Sequence, residues 1–315
     1  MDYLNLYSDF LKKFFNPQKP LKVIFDCSNG TTGPILKKLT DNNQRLKTFF
    51  INDNPNGNFP AHSPNPLEKN SAIQLQKEVK KQKSDLGIIF DADGDRVIFV
   101  DNKARIVNPE IISRLLIWYL KPNKIIITPS TGWLIKKINN HTRAKDFINK
   151  QETRIKIIKS KIGHYYIKKI MFREKADFAF EQSGHYYFAF KNLGKDGLYY
   201  DSGIMAAIEI INAVSQLPYS LADFNDLLPQ YHRSGEINIK IKNGNLKIRK
   251  IERYFKASAT KISHLDGLTM EFNPPAGGWW FNLRPSNTES LLRLNIEAVS
   301  KSKLDKIIKK LQSLK

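Results

Sequence analysis

Cysteine is almost absent from this 315-residue chain, Cys27 being the single one. No intrachain disulfide can form, so buried apolar surface has to hold the fold together, and a reducing compartment, the cytoplasm, is the expected location. Long apolar runs are missing as well. The most apolar stretch, around Ile111 to Leu120, carries Arg114 and falls short of the about 20 apolar residues that cross a bilayer, so no membrane partner is expected. The first fifteen residues lack the basic leader and unbroken apolar core of a secretion signal. Instead Tyr3, Tyr7, Phe10 and Phe14 recur at helical spacing with Asp2, Asp9, Lys12 and Lys13 between them, which predicts an amphipathic helix. No repeat at a fixed period and no low-complexity tract is present, which argues against a solenoid.

Acidic residues are the scarce charge: 30 Asp and Glu face 51 Lys and Arg, a formal balance of +21. That excess favours anionic partners, whether nucleic acid, acidic membrane or phosphorylated small molecules. The lysines are scattered in pairs such as Lys80-Lys81, Lys136-Lys137, Lys168-Lys169 and Lys309-Lys310, which fits a solvated basic surface better than a dedicated nucleic-acid face. Hydrophobic residues at 41% and aromatics at 11% are ordinary globular values, which makes an ordered chain the expectation. The length exceeds the roughly 250 residues that one core comfortably serves, so several domains are expected.

Strand, turn and helix signals then divide the chain. Residues 1–19 read as a linking helix. Residues 20–120 begin with a buried strand, Leu21 to Phe25, and a helix near Ile35 to Leu39. After a loop crowded with Pro55, Gly57, Pro60, Pro64 and Pro66 come a helix over Leu67 to Lys83 and strands Leu86 to Phe90 and Val97 to Asp101, a hairpin-like pair around an acidic loop. Residues 121–230 start at the Lys121-Pro122-Asn123 break, with strands Lys124 to Thr128, Asp177 to Phe180 and Tyr186 to Phe190 and an apolar helix from Gly203 to Val214. Residues 231–315 carry strands over Ile237 to Lys242, Gly267 to Phe272 and Leu291 to Ile296, then a helix from Lys301. The expected class is α/β: two consecutive domains with mixed sheets, then a smaller α+β domain.

Three loops carry chemistry. In Asp91-Ala92-Asp93-Gly94-Asp95-Arg96, carboxylates at alternate positions can face one point because Gly94 lets the backbone curl. Hard oxygen donors in that arrangement suit Mg²⁺, and like charges so close are costly without a cation. A calcium EF-hand is excluded, since the glycine comes early and Asn102 stands where the closing glutamate belongs. An acidic turn paired to Arg96 is the alternative. Glu181, Ser183 and His185 in Glu181-Gln182-Ser183-Gly184-His185 offer an acceptor, a hydroxyl and an imidazole, a set that suits sugar hydroxyls but also a plain polar turn. Arg284-Pro285-Ser286-Asn287-Thr288 supplies a guanidinium fork, two hydroxyls, an amide and backbone N–H groups, as phosphate recognition requires. A turn rich in Ser and Asn would look similar but would not need the arginine. His164, ahead of Lys168 and Lys169, is either a proton shuttle or a helix-capping surface residue.

Occurring together and in this order, these loops closely resemble those of the α-D-phosphohexomutase family, phosphomannomutase/phosphoglucomutase type. DADGDR is similar to the family's metal loop, with Ala92 at a usual glycine; FEQSGH to its sugar loop, with Phe180 for the leading glycine; LRPSNTES to its phosphate loop, with Ser290 for proline. KIGHYYIKKIM resembles the segment with an acid/base histidine, here His164 beside Lys161, and NPNGNFPAHSPNPLE resembles a second-domain loop. The resemblance implies Mg²⁺ on Asp91, Asp93 and Asp95, sugar hydroxyls on Glu181, Ser183 and His185, and phosphate on Arg284, Ser286, Asn287 and Thr288. His164, Lys161 and Arg96 make up the catalytic set it implies. The implied activity interconverts hexose 1-phosphate and hexose 6-phosphate through a bisphosphorylated sugar. Relatives carry a first domain with a reactive serine in Thr-x-Ser-His-Asn-Pro, and no such string occurs here; Ser63, in Ala61-His62-Ser63-Pro64, belongs by its neighbours to the second-domain loop. The expectation is that this serine belongs to a separate polypeptide, or that its domain has been lost from the gene model. A non-catalytic phosphosugar-binding module and, on charge alone, a nucleic-acid-binding protein are the competing readings.

Overall fold

Strand β1 (Leu21–Asp26) opens the first sheet, and the structure, a computed structural model, describes residues 2–140, 154–241, 243–273, 278–286 and 290–313. Among the described residues, those within 1–126, 141–156 and 168–228 form one compact unit and those within 127–140, 157–167 and 229–315 another.

In the first unit β1 is followed by the helix Thr32–Thr40, β2 (Leu46–Ile51), the helix Ile73–Gln82, β3 (Leu86–Phe90), β4 (Val97–Asp101) and the short β5 (Ile106–Val107). The sheet order is β2-β1-β3-β4-β5, parallel through β2, β1 and β3 and antiparallel from β3 onward. Every residue of β3 and β4 is buried, which is why both read as unbroken apolar runs. Leu75 and Val79 of the helix pack with Ile24, Ile89, Ile98 and Val100. Gly87 permits this approach, since a Cβ there would stand 2.6 Å from Val79 Cγ2. The helix Pro109–Leu120, capped by the Asn108 side chain on Glu110 N at 2.8 Å, leads to β6 (Lys124–Ile127), where the chain's second sheet begins. The strand β7 (Lys156–Lys159) and the helix His164–Glu174, whose residues divide between the two units, come before β8 (Phe178–Phe180), β9 (Tyr186–Phe190) and β10 (Leu198–Asp201). That sheet contains the run β10-β9-β8-β6, with β6 parallel to β8 and the other two pairs antiparallel. The helix Gly203–Gln216 is buried along nearly its whole length.

The second unit is built on a fully antiparallel sheet, β11 (His232–Lys240), β12 (Lys261–Ser263), β13 (Leu268–Phe272), β14 (Trp279–Pro285) and β15 (Leu291–Ala298), in the order β11-β15-β14-β13-β12. Alternation assigns its faces: Trp279, Phe281 and Leu283 join the core beneath the helices Gly244–Phe255 and Lys301–Ser313, so Trp280, Asn282 and Arg284 lie on the opposite face. Buried Glu297 ties that face together, accepting from Trp133 N at 2.8 Å, Trp280 Nε1 at 2.8 Å and Arg233 Nη1 at 3.3 Å.

Three expectations need correction. The helix expected over Leu67 to Lys83 spans only Ile73–Gln82, because Asn70 adopts a left-handed backbone, φ 77°, that ends any earlier helical run. The strand expected over Ile237 to Lys242 starts at His232 and passes through an irregularity between Arg233 and Glu236; Lys242 lies outside the described residues. The linking helix expected over residues 1–19 spans only Tyr3–Lys12, so Phe14 lies beyond its end. Ser8 and Leu11 are its buried positions and Tyr3 is 75% exposed, while Phe10 and Phe14 meet Phe190 at centroid distances of 6.1 and 5.6 Å. Beyond the helix, Asn212 donates to Phe14 O at 2.7 Å and accepts from Asn16 N at 2.9 Å, holding the chain in a non-helical course.

Candidate metal and phosphosugar site

The acidic loop joins β3 to β4, and two elements clamp it. Thr31 N donates to Ala92 O at 2.8 Å, and Gly203 N, at the start of the buried helix, donates to Gly94 O at 3.0 Å. Gly94 has φ +78°, and a Cβ there would lie 2.5 Å from Thr32 Cγ2, so both the turn and its packing require glycine. Gly203 meets the same constraint, its absent Cβ falling 2.7 Å from Gly94 O.

Inside this clamp Asp91 is buried. Its Oδ1 accepts from Gly94 N and Arg96 N, each at 3.1 Å, and its Oδ2 accepts from Arg96 Nε at 2.6 Å. Asp93 is exposed and Asp95 partly so, yet one carboxylate oxygen from each of the three aspartates lies within 4.8 Å of the others. Burial first, then hydrogen bonding to Asp91 and the charges of Asp91 and Asp93, pushes the Asp95 carboxyl up to about 7, with His185 opposing. Three hard oxygen donors gathered against their own repulsion fit Mg²⁺, and a divalent cation would relieve that repulsion. Arg96 pairs with Asp91, and its Nη1 also donates to Asn65 Oδ1 at 3.2 Å, bringing the proline-rich loop to the acidic loop. In that loop His62 Nε2 lies 3.1 Å from the buried Asp26 carboxylate, which raises the imidazole above its usual value, with burial opposing. Ser63 Oγ accepts from Asn65 N at 3.3 Å, a turn-stabilising role.

The Glu181 to His185 loop, between β8 and β9, lies directly against the acidic loop and the strand that follows it. Val97 N donates to Gly184 O at 3.0 Å, and Arg96 and His185 form an isolated β-bridge. Gly184, φ +90°, allows it: a Cβ would come within 2.9 Å of Val97 O. Glu181 is buried and accepts from Tyr187 Oη at 2.6 Å. His185 Nδ1 stands 3.0 Å from Asp201 and 3.7 Å from Asp95, and Lys168 Nζ is 3.1 Å from Asp201. Burial would raise the Asp201 carboxyl, but His185 and Lys168 together hold it down to about 2. Sequence reasoning missed Asp201 and Lys168. No linear motif marks Asp201; it reaches the site because β10 pairs with β9 so that Asp201 lies opposite Tyr187.

The remaining residues belong to the second unit. Arg284, expected in a loop, is instead in β14, opposite Arg293 of β15, because the apolar alternation of Trp279 to Leu283 carries the strand through Pro285. Glu236 accepts from both arginines, at 3.5 and 3.1 Å, and Arg284 Nε is buried with no hydrogen-bond partner among the described residues. Ser286 N donates to Leu291 O at 2.9 Å, closing the turn, while Asn287 and Thr288 lie outside the described residues. Lys161 and His164 are exposed. Lys161 Nζ sits 5.6 Å from the Tyr166 ring centroid, and His164 opens its helix after Gly163, φ +117°.

Three family models match in succession: phosphoglucomutase/phosphomannomutase alpha/beta/alpha domain II over residues 3–104, alpha/beta/alpha domain III over 111–231 and the C-terminal domain over 236–313. The phosphomannomutase of Methanocaldococcus jannaschii is 34% identical over 99% of this chain and 65% of its own length; that of Escherichia coli K12 is 30% identical over 93% and 62%. The chain therefore spans somewhat under two thirds of these relatives. A phosphoglucomutase/phosphomannomutase family protein from Burkholderia thailandensis shares the fold at TM-score 0.78 with 22% identity, over 99% of this chain and 64% of that one. With a clamped acidic loop, an adjoining Glu-Gln-Ser-Gly-His loop and three consecutive domain matches, the chain belongs to the phosphoglucomutase/phosphomannomutase family.

Proposed function

We propose that this chain is the metal-, sugar- and phosphate-binding part of a phosphohexomutase that interconverts hexose 1-phosphate and hexose 6-phosphate through a bisphosphorylated sugar. The single observation carrying this reading is the cluster of Asp91, Asp93 and Asp95 carboxylates joined by the Gly184 to Val97 hydrogen bond to a loop of sugar-binding character. Asp91, Asp93 and Asp95 would hold Mg²⁺, which neutralises negative charge on a transferring phosphoryl group when bound. Arg96 holds Asp91 in place and keeps the loop curled. Glu181, Ser183 and His185 bind and orient the hexose hydroxyls, with Tyr187 fixing Glu181. Arg284, Ser286, Asn287 and Thr288 grip the phosphate that is not transferred; the unpartnered Nε of Arg284 supports this role. His164 and Lys161 move the proton of the accepting hydroxyl.

The phosphoryl-carrying serine is proposed to come from a polypeptide segment outside these 315 residues, because the sequence holds no Thr-x-Ser-His-Asn-Pro string. A reducing, cytoplasmic setting is proposed with it. No single described helix is long and apolar enough to cross a membrane. The test titrates purified chain with glucose 1-phosphate and mannose 1-phosphate, with and without Mg²⁺, and measures turnover in a coupled assay with and without an added phosphoserine-bearing first domain. Binding by the chain and turnover only on addition of that domain are expected. Failure of the chain to bind either sugar phosphate would end the mutase reading, and robust turnover by the chain alone would end the proposal of an external serine.

A further inference from the structure

A cavity of about 360 Å³ in the second unit is used by none of the residues assigned above. Its size falls within the roughly 300–1,000 Å³ of small-molecule sites. One wall is the sheet face opposite the apolar core, where Lys261 pairs with Glu271 and Ser263 with Thr269 across β12 and β13. Ile127, Ile157 and Leu265 make an apolar floor.

The charge is lopsided. Lys136, Lys137, Lys159 and Lys261 line the cavity against a single carboxylate, Glu271, four positive groups to one negative. Lys136 is committed to the wall, its ammonium 3.8 Å from the Trp280 ring centroid and 3.5 Å from Pro129 O. Lys261 reaches Glu271 only at 3.9 Å. Partial burial pulls the Lys137 and Lys159 ammonium groups below the usual lysine value, and Lys261 acts in the same direction on both. Thr269 Oγ1 already accepts from Asn282 at 3.0 Å, so its own O–H is left to donate. A concave surface that gathers like charges above apolar side chains is matched by a ligand with an anionic end and a body without charge.

We propose that this cavity binds a phosphorylated small molecule with an apolar face, as a nucleoside monophosphate has. The phosphate meets Lys137, Lys159 and Lys261, and the body rests on Ile127, Ile157 and Leu265. The proposal does not depend on the mutase reading, since no lining residue belongs to the metal, sugar or phosphate loops.

The test adds adenosine monophosphate and inorganic phosphate separately to the full chain, following tryptophan fluorescence and, by mass spectrometry, the acetylation of each lysine. Saturable binding of the nucleotide is expected, roughly tenfold tighter than that of phosphate, with Lys137, Lys159 and Lys261 protected from acetylation. The double variant Lys159→Met, Lys261→Met should weaken it roughly tenfold. Both side chains are exposed, and unchanged thermal unfolding confirms that the variant is folded. Arg284→Ala should leave nucleotide binding as it was. No saturable binding, equal affinity for nucleotide and phosphate, or a loss caused by Arg284→Ala and not by the lysine variant would each overturn the proposal.

Discussion

Glu209 links the support of the acidic loop to pH. It lies on the helix Gly203–Gln216, whose first residue holds Gly94 O, and it borders a space lined by Phe14, Phe188, Phe190 and Met205 together with Lys121 and Asp177. Burial pushes its carboxyl from the ordinary 4.5 up to about 7, and a hydrogen bond with Asn212 offsets only part of that. Between those values the folded chain keeps a proton that the unfolded chain releases. Its stabilising contribution is therefore complete below the unfolded value and is lost as pH rises through the folded one. At about 1.4 kcal/mol per pH unit, the full loss amounts to about 3 kcal/mol. Glu209→Gln puts a neutral group of the same shape in place of the acid. Urea unfolding should find variant and parent equally stable near pH 5, and the variant more stable by about 3 kcal/mol near pH 8. Stability curves running parallel from pH 5 to pH 8 would refute the reasoning, since Glu209 would then be ionised in the folded chain as well.

Asp93→Asn leaves the clamp around Asp91 intact but removes one anionic donor; calorimetry should find Mg²⁺ binding weakened by roughly tenfold or more, with the unfolding midpoint unchanged. Gly203→Ala drives a Cβ to within 2.7 Å of Gly94 O, so a loss of about 1–3 kcal/mol in unfolding free energy should accompany weaker Mg²⁺ binding. Glu297→Ala strips the second unit of a fully buried acceptor shared by Trp133, Trp280 and Arg233, and chemical denaturation should register a cost of about 3–5 kcal/mol. Tyr187→Phe removes the 2.6 Å donor on Glu181; about 1.5–3 kcal/mol of stability and part of the hexose-phosphate affinity should go with it, measured by denaturation and by titration.

Chemistry compressed into a few consecutive residues was legible without coordinates. The clustering of Asp91, Asp93 and Asp95 could be read from the residues because local backbone curvature at Gly94 brings alternate carboxylates together. β3 and β4 were equally plain, since strands buried on both faces are written as apolar runs. Strands of mixed character were not. Neither β10 nor β14 was read from the residues, as Leu198–Asp201 is short and half-exposed and Trp279–Pro285 buries polar Asn282 between apolar neighbours. With β10 went Asp201, which meets His185 only through a cross-strand register that no spacing along the chain encodes. The sequence by itself determined the family, the acidic cluster and the order of the loops, because each depends on neighbours within about ten residues. Tertiary structure alone decided that Gly184 and Gly203 brace the acidic loop and its following strand from different elements, that burial raises the Glu209 carboxyl, and that lysines from three separate stretches of the chain line one cavity, because desolvation and contact depend on what folds nearby rather than on what is adjacent in the chain.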